Sequence, residues 1–321
     1  MKERGTEIER GIVPGGGDGG TATPSFRDPT GAASGLAARP APIRIGGRDF
    51  AWGERTYVVG IINVTPDSFS GDGLLREADA PGGGVARAVA QAEAMVAEGA
   101  DLLDIGGEST RPGHALVAAA EEIERTIPVV RAIRTALPAT PISIDTTKPD
   151  VAAAALGAGA DLLNDVWGVA DDDRLAGLAA EHGRPLILMH NRAEARYTNL
   201  MAEIIADLWR AIERAVAAGC PLDALIVDPG FGFGKAPHHN LELLHRLPEL
   251  HVLGRPIMLG TSRKSTLGRV LDLPAGERLE ATLATTALAV AAGVDLVRVH
   301  DVLANVRAAR LTDAVVRGRV P

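Results

Sequence analysis

Cysteine occurs once in the 321 residues, as Cys220. A lone thiol excludes an internal disulfide and any cage of thiolates around a metal, and it fits a reducing compartment. Aromatic side chains make up only 3% of the chain, so its core has to be aliphatic. Positive charge is short as well: 33 Lys and Arg face 41 Asp and Glu, for a formal net charge of -8. That balance argues against a nucleic-acid binder, whose affinity comes from clustered cations neutralising phosphates. Long hydrophobic runs are missing. Apolar stretches such as Tyr57 to Ile62 fall far below the ~20 residues that span a bilayer, and the N-terminus carries no apolar signal-peptide core. No membrane association is expected, and the cytoplasm is the expected location.

With 46% hydrophobic and 23% charged residues, the composition is that of a folded globular chain, long enough for one large domain. Residues 1 to 40 are rich in Gly, Pro, Thr and Ser without apolar periodicity, which predicts a disordered tail preceding a domain over 41–321. Short alternating runs around Gly46 and Gly47, between Ile43 and Thr56, predict a β-hairpin that can plug one mouth of a barrel. After Thr56 a short aliphatic strand, a polar residue at its end and a longer helical stretch repeat. Strands are expected over 57–63, 101–107, 141–146, 161–166, 185–190, 224–230, 256–262 and 294–300. The strings GADLLDIGG from Gly99, GADLLNDV from Gly159 and GVDLVRVH from Gly293 share one layout: a glycine that stops a helix, then Asp, then an aliphatic run. The intervening helices are Ala-rich and amphipathic, as in Asn199 to Ala218, where Ile204, Leu208, Ile212 and Ala215 recur at helical spacing. The fold class is α/β. A (β/α)8 TIM barrel is favoured over an open doubly wound sheet because eight units fill about the usual ~250 residues of a barrel.

The C-terminal ends of these strands carry Asn63, Asp104, Asp145, Asn164 with Asp165, His190, Asp228, Ser262, and Arg298 with His300. In a parallel barrel those ends meet on one face, where the βα loops build active sites, so distant residues can converge on one ligand. Any one Asp or Asn there can instead be a turn former or a helix cap, a reading that suits Asp104 before its Ile-Gly-Gly turn. All eight together favour a shared site. Arg298 and His300 alternate onto one face and can clamp an anion, with the Arg fork suited to phosphate oxygens.

The strings IINVTPDSFSGDG (61–73), DIGGESTRPG (104–113), SIDT (143–146), LLNDV (162–166), LMH (188–190), DPGFGFGK (228–235), TSRKS (261–265) and RVHDV (298–302) resemble, in order, the motifs of the dihydropteroate synthases. The resemblance runs from Tyr57 to the C-terminus. It implies a transferase that joins the methylene carbon of a dihydropterin pyrophosphate to the amine of p-aminobenzoate, releasing pyrophosphate and forming dihydropteroate for folate synthesis. It implies that Asp145, Asn164 and Asp228 take the pterin, that Lys264 donates to its carbonyl or a ring nitrogen, and that Arg263 packs beside it. It implies further that Asn63 joins Arg298 and His300 at the pyrophosphate and helps to hold magnesium. By the same resemblance, Phe69, Thr110, Arg111 and Pro112 are expected to enclose p-aminobenzoate with Phe233, and a homodimer is expected to form through barrel helices.

The residues themselves suit that chemistry. Carboxylates and an amide match a heterocycle edge that mixes N-H groups with a carbonyl. Ser265, at the start of a helix, can meet a carboxylate where free backbone N-H groups favour an anion. An aromatic amine is a weak nucleophile, so the expected course is carbon-oxygen cleavage ahead of attack, with no general base. Asp145, Lys264, Arg298 and His300 are the expected catalytic groups. The Gly- and Pro-containing loops Thr65 to Gly73 and Ser109 to His114 are expected to exclude water. The first loop departs from the common family pattern at Ser70-Gly71-Asp72-Gly73 and leaves open whether Asp67 or Asp72 orders it. Two rivals stand beside this reading. A barrel passing a methyl group from methyltetrahydrofolate to a corrinoid protein would share Asp145, Asn164 and Asp228 but lack the first-loop motif and the Ser-Arg-Lys run. A pterin-binding paralogue without catalysis would keep the binding residues.

Overall fold

The computed structural model describes residues 40–65, 83–108, 116–168, 170 and 172–318. The expected tail, Phe69, Thr110, Arg111, Pro112 and both candidate loop acids, Asp67 and Asp72, lie outside the described residues.

The hairpin forms as expected. Strands β1 (Ile43–Ile45) and β2 (Arg48–Phe50) pair antiparallel. Gly46 and Gly47 turn between them at φ +54° and +83°, a left-handed pair of the kind a two-residue hairpin turn requires. Eight parallel strands follow: β3 (Tyr57–Asn63), β4 (Leu102–Gly106), β5 (Ile142–Asp145), β6 (Leu162–Asp165), β7 (Leu186–Met189), β8 (Leu225–Asp228), β9 (Met258–Leu259) and β10 (Leu296–Val299). Their order is β8-β7-β6-β5-β4-β3-β10-β9. A bridge between Val227 and Ile257 joins the two ends, with the Val227 N-H donating to the Pro256 carbonyl at 2.9 Å. The sheet is therefore a closed barrel and not an open doubly wound sheet.

Helices α1 (Gly83–Ala97), α2 (Ala119–Ala136), α3 (Pro149–Ala158), α4 (Arg174–Glu181), α5 (Leu200–Ala217) and α6 (Pro237–His245) follow β3 to β8 in turn. Both α7 (Ser265–Leu271) and α8 (Leu279–Ala291) follow β9, and α9 (Val302–Arg317) follows β10. The start of α5 shows local sequence at work, since the Asn199 side chain accepts the Ala202 N-H at 3.3 Å as an N-cap.

Strand alternation sorts the core into two bodies. Outward residues such as Ile62, Leu103, Ile144, Leu163, Leu188, Val227 and Val297 pack with the helices. Inward Tyr57, Val59, Leu102, Leu162, Ile187, Ile226, Met258 and Leu296 form a second cluster with Ile43, Ile45, Phe50 and Trp52 of the hairpin segment. The hairpin thus plugs the N-terminal mouth. Several of the chain's scarce aromatics are spent there, with the Phe50 and Tyr57 ring centroids 4.7 Å apart and Trp52 edge-on to Tyr57 at 5.7 Å.

The repeated Gly-x-Asp layout has a structural cause. Gly99, Gly159 and Gly293 leave their helices at φ +105°, +110° and +84°, which glycine adopts without strain. Each following Asp then accepts a backbone N-H at the start of a neighbouring strand: Asp101 from Val58 at 2.9 Å, Asp161 from Ile142 at 3.0 Å and Asp295 from Ile257 at 3.0 Å. The N-terminal rim is sealed by structure, which leaves the opposite rim for function.

Candidate active site

Above the apolar plug, the inward positions turn polar. Leu102 gives way to Asp104, Ser143 to Asp145, Leu162 to Asn164, Ile226 to Asp228 and Leu296 to Arg298, each two residues further along its strand and so on the same face. Asp145 lies in register with Gly106 on one side and Asn164 on the other, and Asp228 with Met189. The three carboxylates and the amide are almost fully buried, at 1% exposure for Asp104, 8% for Asp145, 2% for Asn164 and 4% for Asp228.

One guanidinium organises them. Arg298 Nε donates to Asp104 Oδ2 at 2.5 Å and Nη2 donates to Asp145 Oδ2 at 2.8 Å. Asn164 Nδ2 donates to the same Asp104 Oδ2 at 3.1 Å, and Asp228 Oδ1 accepts the Gly230 N-H at 2.7 Å. What remains is a set of buried oxygens without a hydrogen-bond partner among the described residues: Asp104 Oδ1, Asp145 Oδ1, Asn164 Oδ1 and Ser143 Oγ. Native interiors leave few such atoms, and here they share one cluster dominated by acceptors.

Burial sets the electrostatics. It pushes the Asp145 carboxyl well above the usual carboxylate range, against the pull of Arg298 and with Asp104 adding to the rise. Asp228 is pushed up to about 6 by burial, against its bond from Gly230 and the pull of Lys264 and Arg298. Burial alone would lower Arg298, and Asp104 and Asp145 more than offset it, so the guanidinium stays charged.

Cations and an aromatic ring flank this cluster. Lys264 Nζ sits 3.8 Å from the Phe233 ring centroid. Gly232 makes room for it: at φ +83°, a Cβ there would meet Lys264 Cδ at 3.1 Å. Ser262 Oγ and His300 Nδ1 are 2.9 Å apart, and Asn63 ends β3 in register with Gly106. Ser265 is exposed at the first position of α7. Arg263, expected beside the pterin, adopts φ +56° and turns its guanidinium to Asp301, with Nε at 3.1 Å and Nη2 at 2.7 Å.

Two strand-end residues do not face this site. Asp165 follows inward Asn164 and so points outward, where Oδ1 accepts the Trp167 N-H at 2.9 Å. His190 follows inward Met189 and lies outside the barrel wall, with Nε2 at 3.0 Å from Asp207 of α5 and Nδ1 at 2.9 Å from Lys235 Nζ. The expectation that every strand's terminal polar residue meets one ligand is corrected by the phase of the strands. Burial holds His190 neutral, down to about 4. Lys235 then donates to Nδ1, and also to the carbonyls of Gly230 at 3.0 Å and Phe233 at 3.1 Å. Buried in turn, Lys235 is pulled down to about 7. This brace on the glycine-rich turn is not evident from sequence, although the lysine closes the DPGFGFGK string.

Asp104, a plausible cap by sequence, is central in the structure. Its signal is the two-residue step from Leu102, which puts it on the inward face. A cavity of about 710 Å³ lies elsewhere, between α1 and α9 beside the starts of β3 and β4, lined by Arg55, Asp101, Arg310 and Asp313. There Arg55 pairs with Asp101 and Asp313 with Arg317, whereas the rim gathers four buried oxygens without a partner among the described residues.

Fold and site together define a (β/α)8 enzyme whose C-terminal rim takes a small heterocycle rich in N-H donors. The sequence pattern of the family described as "Pterin binding enzyme" matches residues 59–300. The dihydropteroate synthase of Clostridium beijerinckii is 47% identical over 276 residues, covering 86% of this chain and 100% of that protein. Among solved structures, the dihydropteroate synthase of Clostridium difficile determined in the presence of pteroic acid superposes with a TM-score of 0.78 at 46% identity, over 84% of this chain and 99% of the other. That of Xanthomonas albilineans with 4-aminobenzoic acid gives a TM-score of 0.78 at 38% identity, over 88% and 100%. The chain belongs to the pterin binding enzymes and, among them, to the dihydropteroate synthases.

Proposed function

We propose that the rim cluster binds the amino-pyrimidinone edge of 6-hydroxymethyl-7,8-dihydropterin pyrophosphate and condenses it with p-aminobenzoate, giving 7,8-dihydropteroate and pyrophosphate in folate biosynthesis. The observation that carries this reading is the set of unpartnered buried acceptors on Asp104, Asp145 and Asn164, beside the raised carboxyl of Asp228. A pterin edge supplies the missing N-H donors, and Lys264 supplies a donor for its carbonyl or ring nitrogen. A heterocycle without that edge would leave these groups unpaired, at about 1–3 kcal/mol each.

The bond that breaks joins the pterin methylene carbon to the pyrophosphate oxygen, and the electron pair leaves with the oxygen. Positive charge on the methylene spreads into the pterin ring, held among carboxylates that favour it. The amine nitrogen of p-aminobenzoate then forms the new carbon-nitrogen bond and sheds one proton. Positioning and electrostatics suffice for this course, and no group is assigned as a general base. Phe233 lies within reach of Lys264 as a wall for the incoming aromatic ring, and Ser265 stands exposed at the start of α7 for its carboxylate. Arg298, His300 and Asn63 line the side assigned to pyrophosphate.

Among the described residues, no group of three or more His, Cys, Asp or Glu forms a metal cage. The Asn63 amide oxygen at the end of β3 is a hard donor that suits magnesium, an ion that keeps its waters and binds mainly through substrate phosphates. Magnesium held there would neutralise charge on the departing pyrophosphate. A homodimer is part of the same reading, supported by the exposed Leu288 of α8 and Leu311 and Val315 of α9. So is a cytoplasmic location, supported by the single buried thiol of Cys220 and by the lack, among the described residues, of a helix long and apolar enough to cross a membrane.

The test is pyrophosphate release by the purified protein. We expect release that requires dihydropterin pyrophosphate, p-aminobenzoate and magnesium together. Pterin binding without release would leave a carrier and overturn the catalytic reading.

A further inference from the structure

We propose that Asp104 is a positioning residue that sets ligand specificity, by fixing the Asn164 side-chain amide with its carbonyl oxygen towards the ligand. The inference rests on the pterin reading above and assigns a task that reading leaves open.

The two ends of an Asn side chain are nearly isosteric, so shape alone does not choose which one faces a ligand. Here the choice is made by charge. Asn164 Nδ2 lies 3.1 Å from Asp104 Oδ2, the oxygen that also accepts Arg298 Nε at 2.5 Å. Turning the amide over would set its oxygen against that carboxylate in a nearly dry interior, where an uncompensated contact is costly. Asp104 cannot rotate away, because Arg298 holds the same oxygen and because its strand neighbours are buried. With the amide so fixed, Asn164 Oδ1 is left as a buried oxygen with no partner, on the strand next to Asp145 Oδ1, which is unpartnered as well.

The consequence is a pair of unpartnered acceptors on neighbouring strands, Asn164 Oδ1 beside Asp145 Oδ1. Such a pair takes a ligand edge carrying adjacent N-H donors, such as a 2-amino-pyrimidinone. It rejects an edge in which one donor is replaced by a carbonyl, as when the 2-amino group of a pterin becomes the 2-oxo group of a lumazine. If the amide were free to turn, its NH2 could meet that carbonyl and the distinction would fade. Asp104 thus acts on the ligand through Asn164.

The experiment compares the affinities of 6-hydroxymethylpterin and 6-hydroxymethyllumazine, by calorimetric titration, for the wild-type protein and Asp104→Asn. We expect wild type to prefer the pterin, and the preference to shrink by about tenfold or more in Asp104→Asn, because one hydrogen bond to a mismatched edge decides it. Loss of packing alone would weaken both ligands alike and leave their ratio intact. An unchanged ratio overturns the inference.

A second pair of variants covers the case in which Asp104→Asn does not fold. Asn164→Asp sets two buried carboxylates together and should lose pterin binding, and adding Asp104→Asn restores a donor between them. Recovery of about tenfold or more in the double variant supports the inference, and no recovery refutes it. Failure of wild type to bind the pterin at all would instead overturn the pterin reading itself.

Discussion

Because burial raises Asp228 to about 6, pterin affinity should depend on pH just below neutrality. A ligand N-H needs the ionised carboxylate as its acceptor, so the protonated enzyme must lose a proton before it binds. With a pKa of about 6, some ten-elevenths of Asp228 is ionised at pH 7 and about one-eleventh at pH 5, a fall of about tenfold in affinity. Asp145 is also raised, so the slope can exceed one decade per pH unit. The sign for the empty protein is opposite. A carboxyl whose folded pKa lies above its unfolded value adds stability that is full below the unfolded pKa and is lost as pH rises through the folded one. Raising pH from about 4 to about 6 should therefore cost the ligand-free protein ~2 kcal/mol from Asp228. The assay is calorimetric titration with 6-hydroxymethylpterin from pH 5 to 8, in two buffers of different ionisation enthalpy. Near pH 6, about half a proton should leave Asp228 on binding, and Asp228→Asn should remove that share along with much of the affinity. An affinity flat from pH 5 to 7, or one that rises in acid, would refute the argument.

Two substitutions probe the frame that holds the site. Gly230→Ala places a Cβ 1.9 Å from the His190 carbonyl oxygen at φ +67°, so the turn must move and take its N-H from Asp228. We expect a stability loss of ~1–3 kcal/mol in urea unfolding with much weaker pterin binding, and unchanged values for both would contradict this account. Phe50→Ala opens the plugged mouth and should cost ~3–5 kcal/mol in the same measurement while sparing pterin affinity at low temperature. Weaker binding without lost stability would show that the hairpin serves the site directly.

Much of the architecture was legible because one signal repeats. Each strand is a short aliphatic run entered through a turn and left through a polar residue, and the observed strands fall within a residue or two of the expected ranges except at β9, which is shortened to Met258–Leu259. The Gly46-Gly47 turn and the three Gly-x-Asp strings are local chemistry and could be read locally. Strand phase was harder. Adjacent Asn164 and Asp165 are both polar, yet the pleat sends one inward and the other out, and the same step hides His190 behind Met189. Contacts across the barrel were out of reach, since Arg298 bonds Asp104 and Asp145 from 194 and 153 residues away. The turn of Arg263 towards Asp301 rests on a left-handed backbone that an Arg codon does not announce.

Those cross-barrel contacts also change how the anion side of the site must work. Arg298 is not a fork waiting for phosphate: Nε and Nη2 are already given to two buried carboxylates, which hold it charged and in place. Three of its five N-H groups are not used in those two bonds and can meet a pyrophosphate, but an anion that drew the guanidinium off Asp145 would leave a buried carboxylate without its partner, which is strongly unfavourable unless another donor takes over. The N-H groups of a pterin are such donors, and Asp145 is the carboxylate they would reach. Ring and pyrophosphate therefore support one another when they arrive on one molecule. A free anion, with no ring to satisfy Asp145, is left with the guanidinium N-H groups that the two carboxylates do not use.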